Sequence, residues 1–203
     1  MTVASRRERE QQMRRELILT SAQKLFEKKG YELTTVDEIA AEAELGKGTI
    51  YSYFKSKDEI YIAILEKGLD ILRERMNKAE AGKKNAIETL YALYDTFIEY
   101  HQEKRGFIET LFVQVDEQIL FHLGDLVRGL KNKSSEWVEL VSRVLQKGID
   151  NGEFVRFDVD KMSKTIIGMI LGIIIQYEMG RIDEDLGNYR SSVFQLAMEG
   201  IRA

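Results

Sequence analysis

Lys47, Gly48, Thr49, Tyr51, Ser52 and Tyr53 stand within one stretch of seven residues. They offer an ammonium, two aliphatic hydroxyls, two phenols and a glycine that lets the backbone come close to a partner. On one face of a short helix, such groups suit the base edges of a DNA major groove about 12 Å wide. Lys47, Thr49, Ser52 and Tyr53 are the candidates for base edges, with Gly48 allowing the close approach. The rest of the chain offers little for catalysis. There is no nucleophile with an oriented base, and no glycine-rich loop of the phosphate-cradling kind. His101 and His122 are the only histidines and form no His-x-x-x-His pair. The absence of cysteine excludes disulfides and thiolate metal sites. No enzyme activity, metal site or cofactor is expected.

Positioning such a face takes two short helices. Thr35 and Glu38 have the spacing of a capping box, and Val36, Ile39, Ala40 and Ala43 follow on one helical face. Glu44-Leu45-Gly46 reads as a turn, after which a second helix starts at Gly46 or Lys47. Ile50 and Phe54, at i and i+4, anchor its inner side, so Phe54 is expected to be a core aromatic. A preceding helix, Arg14 to Lys29 and then Gly30-Tyr31, turns Ile18, Ala22, Leu25 and Phe26 inward. The arrangement is a helix-turn-helix.

The chain of 203 residues carries a net charge of −4, which by itself argues against a polyanion partner. Its distribution reverses that reading. Residues 1–57 hold eleven Lys/Arg against nine Asp/Glu, and residues 58–203 hold nineteen against twenty-five. A basic head on an acidic body can orient on DNA while the body resists non-specific binding. Arg6, Arg7, Arg9, Arg14 and Arg15 concentrate at the start. Two readings stand: a flexible arm reaching phosphates or the minor groove, with Arg6 and Arg7 as contacts, or a solvated helix extension interleaved with Glu8, Glu10 and Glu16.

Thr35, Ile39, Ala40, Ala43, Leu45, Gly48, Thr49, Ile50, Tyr51, Tyr53, Phe54, Lys57, Asp58, Glu59 and Ile60 together resemble the amino-terminal pattern of the TetR family of bacterial transcriptional regulators. The resemblance covers about the first quarter of the chain. It implies phosphate contacts by Thr35, Tyr51 and Lys57. Thr35 and Lys57 lie at expected helix amino termini, where backbone amides favour an anion, and Lys55 adds charge on the same side. One departure stands out: Glu44 occupies a turn position where the family has glycine. A left-handed Glu44 would cost about 1–2 kcal/mol, unless Gly46 absorbs the bend.

The remaining sequence reads as helices uninterrupted by proline, of which there is none. Ile60, Ile64, Leu65, Leu69, Leu72 and Met76 continue one long helix out of the head, broken at Gly82-Lys83-Lys84. The next runs from Asn85 to Lys104. A short helix is expected from Phe107 to Val115, then helical sequence from Gln118 towards Lys131 and again from Ser134 to Asp150, stopped at Asn151-Gly152. Asp158 or Asp160 caps a helix running to Met179, and Asp183 to Arg202 forms the last. The apolar stretch Ile166 to Ile175 is ten residues, short of the roughly 20 needed to span a bilayer. MTVASRRERE has no apolar core of a secretory signal.

The helix ending at Met179 is apolar on both sides, with Met162, Ile166, Met169, Ile170, Ile173 and Tyr177 on one face. Ile167, Leu171 and Ile174 lie on the other, where Gly168 and Gly172 permit close approach. With Val193, Leu196, Ala197, Gly200 and Ile201 of the last helix, that second face suggests a four-helix homodimer interface, as in the resembled family. A central helix buried in a monomer would carry the same pattern. The resemblance further implies an effector pocket in the body. Phe97, His101, Phe107, Leu111, Phe112, Trp137, Val141, Met169, Ile173 and Tyr177 could line it for a hydrophobic or aromatic molecule, though each also suits an ordinary core.

The expected architecture is therefore all-α, with a three-helix DNA-binding head over residues 1–57 and a helical effector-binding and dimerisation domain over residues 58–203. The expected function is a cytoplasmic, homodimeric, ligand-responsive repressor released from a palindromic operator. A constitutive or architectural DNA-binding protein, and a helical module whose head docks on protein, are the alternatives.

Overall fold

The computed structural model describes the backbone of residues 6–104 and 124–199, and the side chains of these residues except 124–134, 196, 198 and 199. The helices are α1 (Arg6–Lys29), α2 (Val36–Glu42), α3 (Lys47–Tyr53), α4 (Lys57–Glu80), α5 (Ala86–Glu103), α6 (Gly124–Asp150), α7 (Val159–Glu178) and α8 (Tyr189–Glu199), with a 3-10 turn at Leu186–Asn188. No strand occurs among the described residues. Two compact units divide the chain: residues 6–67 with the backbone of 124–130, and residues 68–104 with 131–199.

In the first unit, α2 and α3 have seven residues each. Helices this short are not stable alone in water, so packing must hold them. Ile39 and Ala40 of α2, with Ile50 and Phe54 at α3, bury against Ile18, Leu19 and Ala22 of α1 and Ile60 and Ala63 of α4. Each large side chain buried here stabilises by about 1.5–3 kcal/mol, far more than helix propensity supplies.

The second unit is built on the apolar stripe Leu90, Leu93, Tyr94 and Phe97 of α5, all buried. The Tyr94 hydroxyl donates to the Leu186 carbonyl at 2.7 Å, fixing the 3-10 turn, and the Tyr100 hydroxyl donates to the Gly68 carbonyl at 2.9 Å. Burial pushes both phenols up to about 12. After α6, Gly152 takes φ +77. The N–H groups of Gly152 and Glu153 then close back on the Ile149 and Gly148 carbonyls at 3.1 and 2.8 Å, a glycine stop of the kind the sequence suggests.

Several boundaries differ from the sequence reading. α1 starts at Arg6 rather than Arg14. The break expected between Lys131 and Ser134 is absent, and α6 runs through it; Asn, Lys and Ser cost only tenths of a kcal/mol in a helix and keep their N–H groups. The last helix begins at Tyr189, not Asp183. There Asp185 instead caps the 3-10 turn, its carboxylate accepting from the Gly187 N–H. The helix expected from Phe107 to Val115 lies outside the described residues.

Candidate nucleic-acid interface and apolar cavity

α2 opens with a complete capping box. The Thr35 N–H and hydroxyl both donate to Glu38 Oε2, at 2.9 and 2.8 Å, and the Glu38 N–H donates to the Thr35 hydroxyl oxygen at 3.3 Å. The Lys29 ammonium also grips Glu38. Lys29 first and Thr35 second hold the Glu38 carboxyl down to about 2. The end of α2 is closed by the Leu45 N–H donating to the Ala40 carbonyl at 2.9 Å, which requires Glu44 at φ +54. Gly46 does not absorb the bend; it is extended, at φ −71, and caps α3 without a side chain.

α3 has two sharply different sides. Ile50 is fully buried and Phe54 nearly so, with the Arg15 guanidinium 5.1 Å from the Phe54 ring centroid. Lys47, Gly48, Tyr51 and Ser52 are exposed, while Thr49 and Tyr53 are half-buried. A Cβ on Gly48 would meet nothing within 4 Å, so this side is open. The Ser52 hydroxyl donates to the Thr49 carbonyl at 2.6 Å. Its acceptor side remains available. The Lys47 ammonium is held by Asp37 of α2 at 2.8 Å, and that carboxylate raises its pKa. Asp37 was invisible as a functional residue because sequence spacing links positions within one helix, not across a turn.

The residues offered for phosphates divide. Tyr51 and Lys55 are exposed. At the start of α4 the Glu59 N–H donates to Ser56 Oγ at 3.2 Å and the Lys55 N–H, one residue before that cap, donates to the Glu59 carboxylate. Both candidate anion seats therefore already contain an internal carboxylate, which the anion argument from helix ends did not foresee. Lys57 turns inward, donating to the Tyr31 carbonyl at 2.8 Å. Arg6 and Arg7 sit on exposed helix rather than on a flexible arm, and Arg6 Nε pairs with Glu10 at 3.0 Å.

In the second unit, Met76 of α4, Leu90, Leu93, Tyr94 and Phe97 of α5, Trp137, Leu140 and Val141 of α6, Ile166, Ile167, Ile170 and Leu171 of α7, and Phe194 of α8 line an apolar cavity that is partly open to solvent. Phe97 and Trp137 meet edge to face at 5.1 Å. None of the described wall residues is charged. Of the candidate lining residues, Phe97, Trp137 and Val141 line this cavity. Met169, Ile173, Tyr177 and His101 do not line this cavity. His101 is buried on α5 with its Nε2 2.9 Å from Glu178 Oε1, and the Tyr177 ring lies 6.3 Å from it. Phe107, Leu111 and Phe112 lie outside the described residues.

The interface assignment on α7 and α8 also changes. Ile167 and Leu171 face the cavity. Ile174, Val193 and Ala197 are buried by their own chain, at 1%, 2% and 7% exposure, so they are core rather than free face. Gly168 and Gly172 do lie on open surface, where an added Cβ would meet nothing within 4 Å. The Leu196 side chain and Gly200 lie outside the described residues. Sidedness was misread because an all-apolar helix gives periodicity no contrast to work with.

Comparison with known proteins bears on both units. The model of bacterial regulatory proteins, tetR family, matches residues 18–64. The chain is 33% identical over 140 residues to the HTH-type transcriptional regulator YfiR of Bacillus subtilis, covering 68% of this chain and 66% of that protein, just under two thirds of its length. To the HTH-type transcriptional regulator QacR of Staphylococcus aureus it is 25% identical over 181 residues, covering 87% and 94%. The fold is also that of the regulator FadR of Bacillus subtilis, solved with stearoyl-CoA, at a TM-score of 0.76 and 24% identity, covering 92% of this chain and 99% of that one.

Proposed function

The chain belongs to the TetR family of bacterial regulatory proteins, and on that footing we propose that it is a repressor that grips a palindromic operator as a homodimer and is released by a hydrophobic effector. The observation that carries this reading is a pairing within one chain. An α3 locked inward by Ile50 and Phe54 leaves Lys47, Gly48, Tyr51 and Ser52 open, and a cavity walled by apolar and aromatic side chains lies in the second unit. The first can read a groove. The second suits a ligand that brings little polarity of its own.

One helix contributes to both: α4 supplies Ile60 and Ala63 to the head core and Met76 to the cavity wall. Effector and operator would then bias one equilibrium in opposite directions and weaken each other's binding by the same factor. The wall favours a hydrocarbon chain, since aliphatic side chains outnumber aromatic ones on it. FadR, solved with stearoyl-CoA, has this fold. A second copy would cover the open Gly168–Gly172 face of α7. Two heads would then meet half-sites one turn apart, roughly 34–36 Å.

The test is direct. Genomic fragments retained by the purified protein are sequenced, a shared palindrome is synthesised with a fluorophore, and its anisotropy is followed as long-chain acyl-CoA is added. Release with saturable dependence on acyl-CoA supports the reading. Specific binding that no hydrophobic ligand disturbs would favour a constitutive regulator.

A further inference from the structure

Tyr31 sits between the end of α1 and the capped start of α2, and α4 holds it by its hydroxyl, its carbonyl and its ring. Its hydroxyl donates to the Asp58 carboxylate. Its carbonyl accepts from Lys57 Nζ at 2.8 Å, and the same ammonium reaches the Glu32 carbonyl at 3.4 Å and stands 4.1 Å from the Tyr31 ring centroid. The other contacts of the ring are Tyr61 at 4.6 Å and Phe26 at 5.6 Å. Burial first, then the Asp58 bond, pushes the phenol far above its ordinary value. Two adjacent residues of opposite charge thus close on one tyrosine from two sides.

We infer that Tyr31, clamped by Lys57 and Asp58, is a positioning residue for the DNA-reading helix, and that Lys57 acts through it and not as a phosphate ligand. This rests on the DNA-binding reading above. α3 ends at Tyr53, and only Phe54, Lys55 and Ser56 separate it from Lys57. Phe54 is buried, so this connection has little slack. Fixing Lys57 and Asp58 against Tyr31 therefore fixes where α3 ends. The same tyrosine carbonyl accepts the Thr34 N–H at 3.2 Å, next to the Thr35 cap, so the entry of α2 is tied to the same point. An ammonium that bonds two carbonyls and faces a ring is not aimed outward at a backbone phosphate.

The two roles leave different marks on salt dependence. A phosphate contact contributes about one unit to the slope of log affinity against log salt, on any sequence. A positioning residue alters the match to one sequence and leaves the slope alone. Binding of operator and of a scrambled duplex is measured across a salt series for the wild type, Tyr31→Phe and Lys57→Met, below their melting temperatures. The expected result for both variants is about a tenfold loss on operator, with scrambled-duplex affinity and both slopes unchanged; tenfold corresponds to a modest change in fit. A slope reduced by about one in Lys57→Met, or equal losses on both duplexes, overturns the inference. Tyr31→Phe keeps the ring and the Lys57 contacts and removes only the Asp58 bond, so it tests the positioning role of Tyr31 even if Lys57→Met fails to fold, and unchanged operator affinity in it is equally fatal. If the wild type itself binds no duplex, the DNA reading fails first and the inference falls with it.

Discussion

Asp37 holds Lys47 across the turn between α2 and α3, carboxylate to ammonium at 2.8 Å. Both groups are exposed, so the pair adds little to stability. On the proposed reading its consequence would lie in aim: a carboxylate beside the open face of α3 would repel phosphate and keep Lys47 from settling on the DNA backbone. Asp37→Asn should therefore leave the melting temperature unchanged while tightening binding to scrambled duplex, narrowing the ratio of operator to non-operator affinity. A salt series on both duplexes checks it, with a slope steeper by up to about one unit expected. An unchanged ratio would mean the pair is only a solvated contact.

Glu44 at φ +54 is a second readable consequence of local geometry. A non-glycine residue in this region is strained by about 1–2 kcal/mol, and part of the relief on mutation is offset by the greater freedom of glycine in the unfolded chain. Glu44→Gly is expected to stabilise by about 0.5–1 kcal/mol, seen as a higher urea midpoint with unchanged slope. A lower midpoint would show that the side chain supports the turn in some other way.

The head was legible because its signals are local. A capping box is two residues three apart, and a buried pair at i and i+4 tells a seven-residue helix which way to face. The body was not legible to that depth. α7 is apolar nearly all round, so hydrophobicity alone could not separate Ile167 and Leu171, which line the described cavity, from Met169, Ile173 and Tyr177, which do not. A fainter signal was present. Lys161, Thr165, Gly168, Gly172, Gln176 and Met179 recur at three- and four-residue steps, marking the outward stripe by the residues least useful in a core. Ser163 obscured it, since a serine suggests surface; here it is buried and accepts from the Ser142 hydroxyl at 2.9 Å. Contacts across elements, such as Asp37 with Lys47 or Tyr31 with Asp58, have no sequence period at all.

Gly148 marks a close approach in the second unit. A Cβ there would lie 2.3 Å from the Phe154 ring and 2.9 Å from the Ala86 methyl. Phe154 is buried and cannot swing away freely. Gly148→Ala should destabilise by about 1–3 kcal/mol by overpacking. Combining it with Phe154→Leu should be less damaging than the sum of the two single changes, because the leucine vacates the space that the methyl needs. Urea unfolding of the three variants measures this, and strict additivity would argue against the contact.

Glu38 gives the head a defined acid response. Its carboxyl lies at about 2 instead of the usual 4.5 because Lys29 and Thr35 bond its charged form. A depressed carboxyl contributes stability that is complete above its unfolded value and is lost as pH falls towards its folded value. The difference in melting temperature between wild type and Glu38→Gln should thus be full at neutral pH and shrink as pH falls from 4.5 towards about 2. A difference independent of pH over that window would assign the effect to helix capping by either form, not to charge.

Val141 offers the cleanest separation of effector response from DNA binding. It lines the cavity one helical turn from Trp137 on α6 and is only half-buried, so a larger side chain can enter the cavity instead of displacing packed core. Val141→Phe fills space that the effector would occupy, and overpacking at such a site costs less than in a closed core. The α3 face, in the other unit, keeps all its contacts. Operator affinity should remain within about twofold of wild type while acyl-CoA potency in releasing operator falls at least about tenfold, the ratio that about 1.4 kcal/mol of lost ligand affinity produces. Because a ligand shifts an equilibrium only by its differential affinity for the two states, a lost response with intact operator binding would locate the effector in this cavity. Full potency in a folded Val141→Phe protein would mean that release, if it occurs, works from elsewhere.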